Sequence, residues 1–298
     1  MIRAVEPVVQ EVSAGGDAEG SHGEASVREV RVRVLRQDAA GSESYWERFS
    51  VPYEPNMNVI SVLQKIAARA RSLDGRRVAP VAWDCSCLEE VCGSCTMLIN
   101  GRTRMACSAL VDKLLEEADE IELRPMSKFP VVRDLCVDRA RLFRSLERVK
   151  AWVPVDDSYD HGPGPRISPQ QQEDAYPLSE CISCGCCVEA CPQFTKIEVT
   201  RREGEPAEDF EQRRRQAFDA AFVGPHAISQ AMLFNSHPVG GMIADERMEA
   251  LTGPGGIQVC GNAQNCVAVC PKRIPLTRSI ARAGRAATVW AIKRLFDR

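Results

Sequence analysis

The chain has 298 residues, enough for about two domains, and its apolar (44%) and charged (27%) fractions are ordinary for a globular protein. A net charge of −3 argues against a protein built to bind nucleic-acid phosphates, and no nucleic-acid partner is expected. No apolar run approaches the roughly 20 residues of a membrane-spanning helix. The distinctive feature is the presence of 14 cysteines against four histidines.

Residues 1–25 carry five acidic side chains, one base and four glycines. They lack the basic start and apolar centre of a secretory signal, and the near absence of arginine argues against an organelle transit peptide. We therefore predict a flexible acidic tail on a cytosolic protein. Because disulfides are rare in the reducing cytosol, the cysteines are better suited to holding metal.

The next part of the chain has the pattern of a small mixed sheet wrapped on one helix. The predicted elements are strand 27–36, strand 45–53, helix 58–71, a hairpin turning at Asn100-Gly101, and strand 120–124. Alternation of apolar and polar residues predicts the first strand, and apolar residues at helical spacing predict the helix, with Asn58 as its N-cap. Asn-Gly is a strong hairpin signal.

The remainder of the chain is patterned mainly as helix. Residues 133–153 are predicted to form a helix that contains Cys136 as an inert, half-buried thiol. Residues 154–177, rich in Pro, Gly, Asp and Gln, are predicted to be a loop or connector, and 201–215 a solvated stretch of mixed charge. Residues 178–298 are predicted to be helices joined by cysteine-bearing loops.

The first cysteine group has the spacing of a plant-type 2Fe–2S site. Its predicted ligands are Cys87, Cys92, Cys95 and Cys107. A tight loop would direct three thiolates at the cluster, and the hairpin would return Cys107 as the fourth. A four-cysteine zinc site is the alternative, less favoured because structural zinc sites use two short C-x2–4-C pairs. Cys85 falls outside the pattern and is interpreted as a buried or spare thiol.

The second and third groups resemble the two halves of a bacterial two-cluster ferredoxin. They are Cys181-x2-Cys184-x2-Cys187-x3-Cys191-Pro192 and Cys260-x5-Cys266-x3-Cys270-Pro271. In such runs the last cysteine of each serves the other cluster. This rule predicts a 4Fe–4S cluster on Cys181, Cys184, Cys187 and Cys270, and leaves Cys191, Cys260 and Cys266 for a second cluster.

Ala263 stands where a complete ferredoxin run would have another cysteine, so one corner of the second cluster has no thiolate. We therefore predict a 3Fe–4S cluster there. The alternative is a 4Fe–4S cluster whose fourth iron is held by water or another group. Cys186 lies between two ligands and is interpreted as structural.

Two further features bear on function. The chain has neither a G-x-G-x-x-G after a strand nor a P-loop, and no residue spacing suggests a catalytic group, so substrate chemistry is expected on a partner protein. Residues 271–298 hold eight bases and one acid, together with several apolar side chains. This segment could meet an anionic membrane surface or a membrane partner, or it could be an ordinary solvated helix face.

Taken over residues 27–298, the three cysteine groups resemble those of the iron–sulfur subunit of succinate dehydrogenase and fumarate reductase. The stretches similar to the branch that works with menaquinone and a di-haem cytochrome b anchor are CLEEVCGSC, FVGPHAISQAMLFNSHP, ERMEALTGPGG and CGNAQNCVAVCPKRIPLT. The implied fold is α+β: an N-terminal β-grasp ferredoxin domain, residues 26–130, followed by an α-helical ferredoxin-like domain, residues 131–298, with the boundary near 128–135.

The resemblance also implies a relay. A separate FAD-containing flavoprotein subunit would oxidise succinate, and electrons would pass singly through the 2Fe–2S, 4Fe–4S and 3Fe–4S clusters to quinone in the membrane anchor. The subunit would lie peripherally at the cytoplasmic face of the bacterial plasma membrane. The same relay could run in reverse as a fumarate reductase, or serve another flavin-linked dehydrogenase. A zinc-binding interaction module without a redox role is the alternative of a different class.

The chain departs from the ubiquinone-reacting branch of this family. Thr195 and Lys196 stand where that branch has a tryptophan pair, and Gly261 stands where it has a histidine. Menaquinone, or a quinone site deeper in the anchor, is therefore favoured. Residues 192–194 (Pro192, Gln193, Phe194) are predicted to line an approach to quinone. The stretch 198–216 is longer than the family leads one to expect and has no assigned role.

Overall fold

The computed structural model describes residues 28–154 and 166–296, so the predicted tail, residues 1–25, lies outside the described residues. The strands are β1 (Glu29–Arg36), β2 (Tyr45–Pro52), β3 (Thr96–Ile99), β4 (Arg102–Met105), β5 (Ile121–Arg124), β6 (Val131–Arg133) and β7 (Cys136–Val137). The α-helices are α1 (Val59–Arg69), α2 (Val111–Glu117), α3 (Ala140–Arg148), α4 (Pro169–Ser179), α5 (Cys186–Glu189), α6 (Ala207–Ala220), α7 (Pro225–Ser236), α8 (Ala244–Thr252), α9 (Asn265–Ala268) and α10 (Leu276–Phe296).

The N-terminal half is the predicted mixed sheet packed on α1. Its strand order is β2-β1-β5-β3-β4, with β1 and β5 parallel and the other neighbours antiparallel. Val30, Val32 and Val34 on β1 are buried because the two-residue repeat of a strand turns alternate side chains to the helix. The short helix α2, which the sequence pattern did not reveal, closes the same core through Val111 and Leu114.

Two local predictions in this half are confirmed. Asn58 caps α1, because its side-chain oxygen accepts the Ser61 N–H at 2.9 Å. Asn100 and Gly101 turn the β3–β4 hairpin with φ of 48° and 73°, the positive values that a two-residue type I′ turn requires. The Asn58 amide also donates to the Cys107 carbonyl at 2.9 Å, so the cap of α1 is tied to a predicted cluster ligand.

The predicted helix over residues 133–153 is wrong at its start. Residues 131–137 form the β6–β7 hairpin, and the helix α3 begins only at Ala140. Asp134 has a φ of 46°, outside the helical region, and its carboxylate accepts the backbone N–H groups of Gln37 and Ala82. These long-range hydrogen bonds hold the segment against the sheet, and Cys136 consequently lies in a strand rather than in a helix.

The predicted loop over residues 154–177 is wrong at its end, since α4 begins at Pro169. Ser168 and Gln171 form a reciprocal capping box, and Pro169 occupies the first turn, where its missing N–H has no helical partner to lose. The polar composition of the segment concealed this start signal. The earlier part of the stretch, residues 155–165, lies outside the described residues.

The C-terminal half is a set of helices and loops around α7. This helix packs against α4, α8 and α10, and its buried side chains join a core that includes Leu142 and Phe194. Helix α6, which covers most of the mixed-charge stretch, has no buried residue, in agreement with its predicted solvated character. No helix within residues 28–154 and 166–296 is both long and apolar enough to cross a membrane.

The two halves share an extensive contact. Cys186, at the start of α5, is buried in the core of the N-terminal sheet. The buried Glu189 accepts hydrogen bonds from the Ser127 N–H at 2.8 Å and the Lys128 N–H at 3.1 Å. The Lys128 side chain in turn donates to the Cys191 carbonyl at 2.8 Å. The segment between the halves is thereby anchored on the cysteine-bearing helix.

Candidate iron–sulfur centres

The loop that carries the first cysteine group surrounds a sulfur with backbone donors. The N–H groups of Glu89, Val91 and Cys92 point at the Cys87 sulfur with N···S distances of 3.4, 3.4 and 3.3 Å. Positive φ values at Leu88 (61°) and Glu90 (57°) turn these amides inward. Such donors stabilise a thiolate, so the loop suits a cysteine bound to iron.

The other two members of the group lie on the hairpin. Cys95 immediately precedes β3 and Cys107 follows β4, and the Thr96–Met105 pairing at the end of the ladder sets them side by side. Both are buried, and the Ala106 N–H donates to the Cys95 carbonyl at 3.1 Å. The hairpin thus returns Cys107 to the first loop, as its position in the sequence predicts.

The thiols of this group differ in acidity. Hydrogen bonding to Ser94 and to backbone N–H groups lowers the pKa of Cys92 to about 6, whereas burial raises the pKa of Cys95 to about 12. Iron binds the deprotonated thiolate, so binding must release the proton that burial holds on Cys95. Cys92 on the loop therefore deprotonates readily, whereas Cys95 on the buried hairpin gives up its proton only when metal binds.

The remaining predicted ligands line two separate cavities. One is lined by Cys181, Cys184, Cys187 and Cys270. The other is lined by Cys191, Cys260 and Cys266. The structure therefore brings together the two sets that the exchange between ferredoxin runs predicts. Burial raises the pKa of the thiols of Cys181, Cys187, Cys266 and Cys270, so metal binding at these sites must also displace protons.

Both cavities fit a cluster by the chemistry of their donors. The first has four thiols, with Ile182, Ile274 and Leu276 shielding it from water. The second has three thiols, and Ala263 contributes only a methyl group to its lining. Residues 261–265 beside the second cavity are all exposed, so this site lies at the protein surface. Within the described ranges, no three His, Cys, Asp or Glu side chains are arranged to hold a single metal ion.

The loops of the first and second cysteine groups touch. A Cβ atom added at Gly93 would lie 2.7 Å from both the Cα and the Cβ atom of Cys184. Gly93 also has a φ of 73°, which favours glycine. Only a residue without a side chain allows this approach, which places the chain between two first-group ligands directly against a ligand of the second group.

The cysteines outside the predicted sets occupy three different environments. Cys85 is exposed, so the interpretation of it as a buried thiol is wrong, and Cys186 is buried where α5 meets the sheet. Cys136 is half-buried in β7, and burial together with the nearby Asp84 carboxylate raises its pKa to about 12. Cys136 therefore remains protonated at neutral pH, in keeping with an inert thiol.

The prediction that residues 192–194 line an approach to quinone is wrong at one residue, Phe194. Pro192 and Gln193 are exposed next to the three-thiol cavity, and the Gln193 amide nitrogen lies 2.7 Å from the position that a Cβ on Gly261 would take. Phe194, by contrast, is 0% exposed. Its ring packs on Phe129 at 6.0 Å between centroids and lies 3.6 Å from the Arg141 guanidinium, so it is a core residue.

Two residues near the cysteines were not singled out by sequence. His226 lines the four-thiol cavity and its Nε2 lies 3.2 Å from the Leu142 carbonyl; burial lowers its pKa to about 4, so it is neutral. Arg139 contacts the first cysteine loop from the start of α3. Both are separated by at least 39 residues in sequence from the cysteines they approach, and no local pattern reveals them.

Comparisons with known proteins agree with this arrangement. Residues 31–144 match the family of 2Fe-2S iron-sulfur cluster binding domains, and residues 177–274 match the 4Fe-4S dicluster domain. The succinate dehydrogenase iron-sulfur subunit of Bacillus subtilis is 46% identical over 90% of this chain and 96% of its own. The fumarate reductase iron-sulfur subunit of Wolinella succinogenes is 29% identical over 85% of this chain and 95% of its own.

A solved structure has the same fold. A chain of the Mycobacterium smegmatis Sdh1 complex in the apo form superposes with a TM-score of 0.65 at 20% identity, over 88% of this chain and 96% of that chain. The likeness covers both halves of the molecule, so the mixed sheet and the helical half form one known architecture.

Proposed function

This chain belongs to the family of iron–sulfur subunits of succinate dehydrogenase and fumarate reductase, and on that premise we propose that it carries single electrons from a succinate-oxidising flavoprotein subunit to quinone in the membrane. The observation that carries the proposal is the presence of three cysteine sets, one on the loop and hairpin of the sheet and two lining separate cavities. Identity of 46% with a succinate dehydrogenase subunit, against 29% with a fumarate reductase subunit, favours succinate oxidation over the reverse direction.

The proposed ligands are those that the spacing predicts. Cys87, Cys92, Cys95 and Cys107 would hold a 2Fe–2S cluster; Cys181, Cys184, Cys187 and Cys270 a 4Fe–4S cluster; and Cys191, Cys260 and Cys266 a 3Fe–4S cluster. When bound, the clusters supply reversible one-electron oxidation and reduction. The 2Fe–2S and 4Fe–4S domains are matched directly, and the absence of a donor at Ala263 supports the three-iron assignment.

The protein's own residues tune and protect these sites. Backbone N–H groups around the Cys87 sulfur stabilise negative charge on the ligand, which favours the reduced, more negative state. Apolar side chains such as Ile274 and Leu276 exclude water from the four-thiol cavity. The surface position of the three-thiol cavity suits the site from which electrons leave the chain.

The proposed partners are a FAD-containing flavoprotein and a di-haem cytochrome b anchor with menaquinone, at the cytoplasmic face of the bacterial plasma membrane. The exposed Leu88 and Val91 beside the first loop suit a flavoprotein contact. The end of α10 leaves Leu295 73% exposed and Phe296 84% exposed next to Lys293 and Arg294, which suits a contact with the anchor or with lipid headgroups.

Electron paramagnetic resonance on native membranes tests the proposal. We expect an oxidised three-iron signal in air, and its replacement by a reduced two-iron signal on addition of succinate. Membranes that lack this chain serve as the control. Clusters that form but do not respond to succinate would assign the subunit to another dehydrogenase, and zinc without iron or acid-labile sulfide would contradict a redox role.

A second test concerns the three-thiol site and the alanine that lines it. Ala263→Cys is expected to supply the missing ligand, to add one iron per chain and to remove most of the oxidised three-iron signal, because the alanine methyl lines the cavity of Cys191, Cys260 and Cys266. Ala268→Cys, a thiol added to the exposed part of α9 outside that cavity, is the matched control. Retention of the three-iron signal in Ala263→Cys after anaerobic reconstitution would contradict our reason for the three-iron cluster.

A further inference from the structure

Arg139 holds the first cysteine loop through its guanidinium group. It precedes α3, and its Nη1 donates to the Gly93 carbonyl at 2.7 Å. Its Nη2 donates to the Ser94 carbonyl at 2.6 Å and to the Thr96 carbonyl at 3.4 Å. The rigid planar fork of arginine directs several N–H donors at once toward these carbonyls, a fixed geometry that the compact ammonium of lysine does not have.

The charge of Arg139 lies between the first two cysteine groups. Among the described residues, no carboxylate oxygen is within 4.0 Å of its guanidinium, so the cation is held by carbonyl dipoles rather than by an ion pair. Burial lowers the pKa of Arg139, and the nearby Asp84 carboxylate and the thiols of Cys184, Cys186 and Cys95 oppose this shift, so ligands of both groups lie near the guanidinium. Gly93, whose carbonyl it binds, is the residue that touches Cys184.

We propose that Arg139 is a positioning residue and a fixed positive charge that raises the reduction potentials of both the 2Fe–2S and the 4Fe–4S clusters. The inference rests on the proposed function, because it needs both clusters in place. Reduction adds an electron to each cluster, and a nearby cation stabilises the added negative charge. One residue thereby shifts the potentials of two consecutive members of the relay in the same direction while it fixes the loop between them.

Redox titration of the complex in its membrane, with chemical mediators and detection by electron paramagnetic resonance, tests this role. Arg139→Gln is expected to shift the ratio of reduced to oxidised 2Fe–2S and 4Fe–4S clusters about tenfold toward the oxidised form at a fixed potential, which corresponds to about 59 mV for a one-electron couple. Arg139→Lys, which keeps the charge, is expected to stay within about threefold of the wild type. The three-iron cluster is the internal reference and is expected not to move.

Arg148→Gln is the matched control. Arg148 is half-buried at the other end of α3 and donates to backbone carbonyls, but its partners are Ala221 and Pro254, away from the cysteine loops. This variant is expected to leave all three potentials unchanged. Equal shifts in Arg148→Gln and Arg139→Gln would overturn the proposal, as would unchanged potentials in Arg139→Gln.

If Arg139→Gln does not assemble its clusters, a second variant tests whether charge at this position affects the two reduction potentials. Asp84 is exposed, and its negative charge opposes the positive charge of Arg139. Asp84→Asn is therefore expected to raise the same two reduction potentials, so that the ratio of reduced to oxidised clusters at a fixed potential rises about threefold. Unmoved potentials in Asp84→Asn would then refute the proposal. Absence of iron–sulfur signals from the wild-type complex would instead refute the proposed function, so the two failures are distinguishable.

Discussion

Replacing Gly93 with alanine is expected to prevent assembly of the first two clusters in most chains. The added Cβ would lie 2.7 Å from the Cα and Cβ atoms of Cys184, closer than carbon atoms approach without bond formation, and neither of these atoms can move without displacing a ligand. The φ of 73° adds a penalty for any residue with a side chain. The two effects together are expected to destabilise the folded chain by about 2–5 kcal/mol.

Iron and acid-labile sulfide per chain measure this effect, since both fall if the cysteine loops cannot meet. Gly75→Ala separates backbone strain from the clash, because Gly75 has a φ of 83° but no atom within 4 Å of its added Cβ. This control is expected to lose only about 1–2 kcal/mol and to keep its clusters. A full complement of iron and sulfide in Gly93→Ala would show that the contact with Cys184 is not required.

The cysteine spacing made the grouping of the thiols predictable because each set is local in sequence except at its ends. The exchange rule then paired Cys270 with the first ferredoxin run and Cys191 with the second, and the two cavities have those compositions. The sheet could be predicted equally well from the sequence, because the alternation in β1, the cap at Asn58 and the turn at Asn100 each depend on a few consecutive residues.

The features that the sequence did not reveal depend on contacts between distant residues. Phe194 follows a Cys-Pro dipeptide at the edge of a cavity, yet its ring is buried because Arg141 and Phe129 cover it. Arg139 is an ordinary helix-start residue by pattern, and only the fold brings it to the loop at Gly93. The helix predicted from residue 133 was wrong for the same reason, since hydrogen bonds to Ala82 and Gln37 select a hairpin there.

That hairpin is secured by a buried ion cluster, in which Arg36 pairs with both Asp134 and Glu47. Asp134 is 0% exposed and accepts the Arg36 Nε–H at 2.8 Å, while Arg36, 1% exposed, also pairs with the buried Glu47. The Asp134 carboxylate further accepts two backbone N–H groups, from Gln37 at 3.2 Å and Ala82 at 2.8 Å. Removal of the carboxylate leaves a buried cation with one partner fewer and two half-buried backbone donors without that acceptor.

Asp134→Ala is therefore expected to cost about 3–5 kcal/mol, the typical effect of breaking a buried charge pair. For a chain of this size that is a fall of roughly 6–20 °C in the unfolding temperature of the cluster-loaded complex, followed by differential scanning calorimetry and by loss of visible absorbance. Asp134→Asn keeps an acceptor for the backbone and tolerates the φ of 46°, so it is expected to lose clearly less than the alanine variant.

Asp74→Ala is the control for the Asp134 experiment, because Asp74 and Arg76 form a pair with an O···N distance of 2.8 Å whose side chains are both exposed. Such surface pairs contribute about 0–1 kcal/mol, so the unfolding temperature is expected to change by no more than a few degrees. If Asp134→Ala behaved like Asp74→Ala, the ion cluster would not be what holds β6 and β7 against the sheet. The start of α3, and with it Arg139, would then have to be positioned by the apolar packing of Leu135 and Leu142 alone.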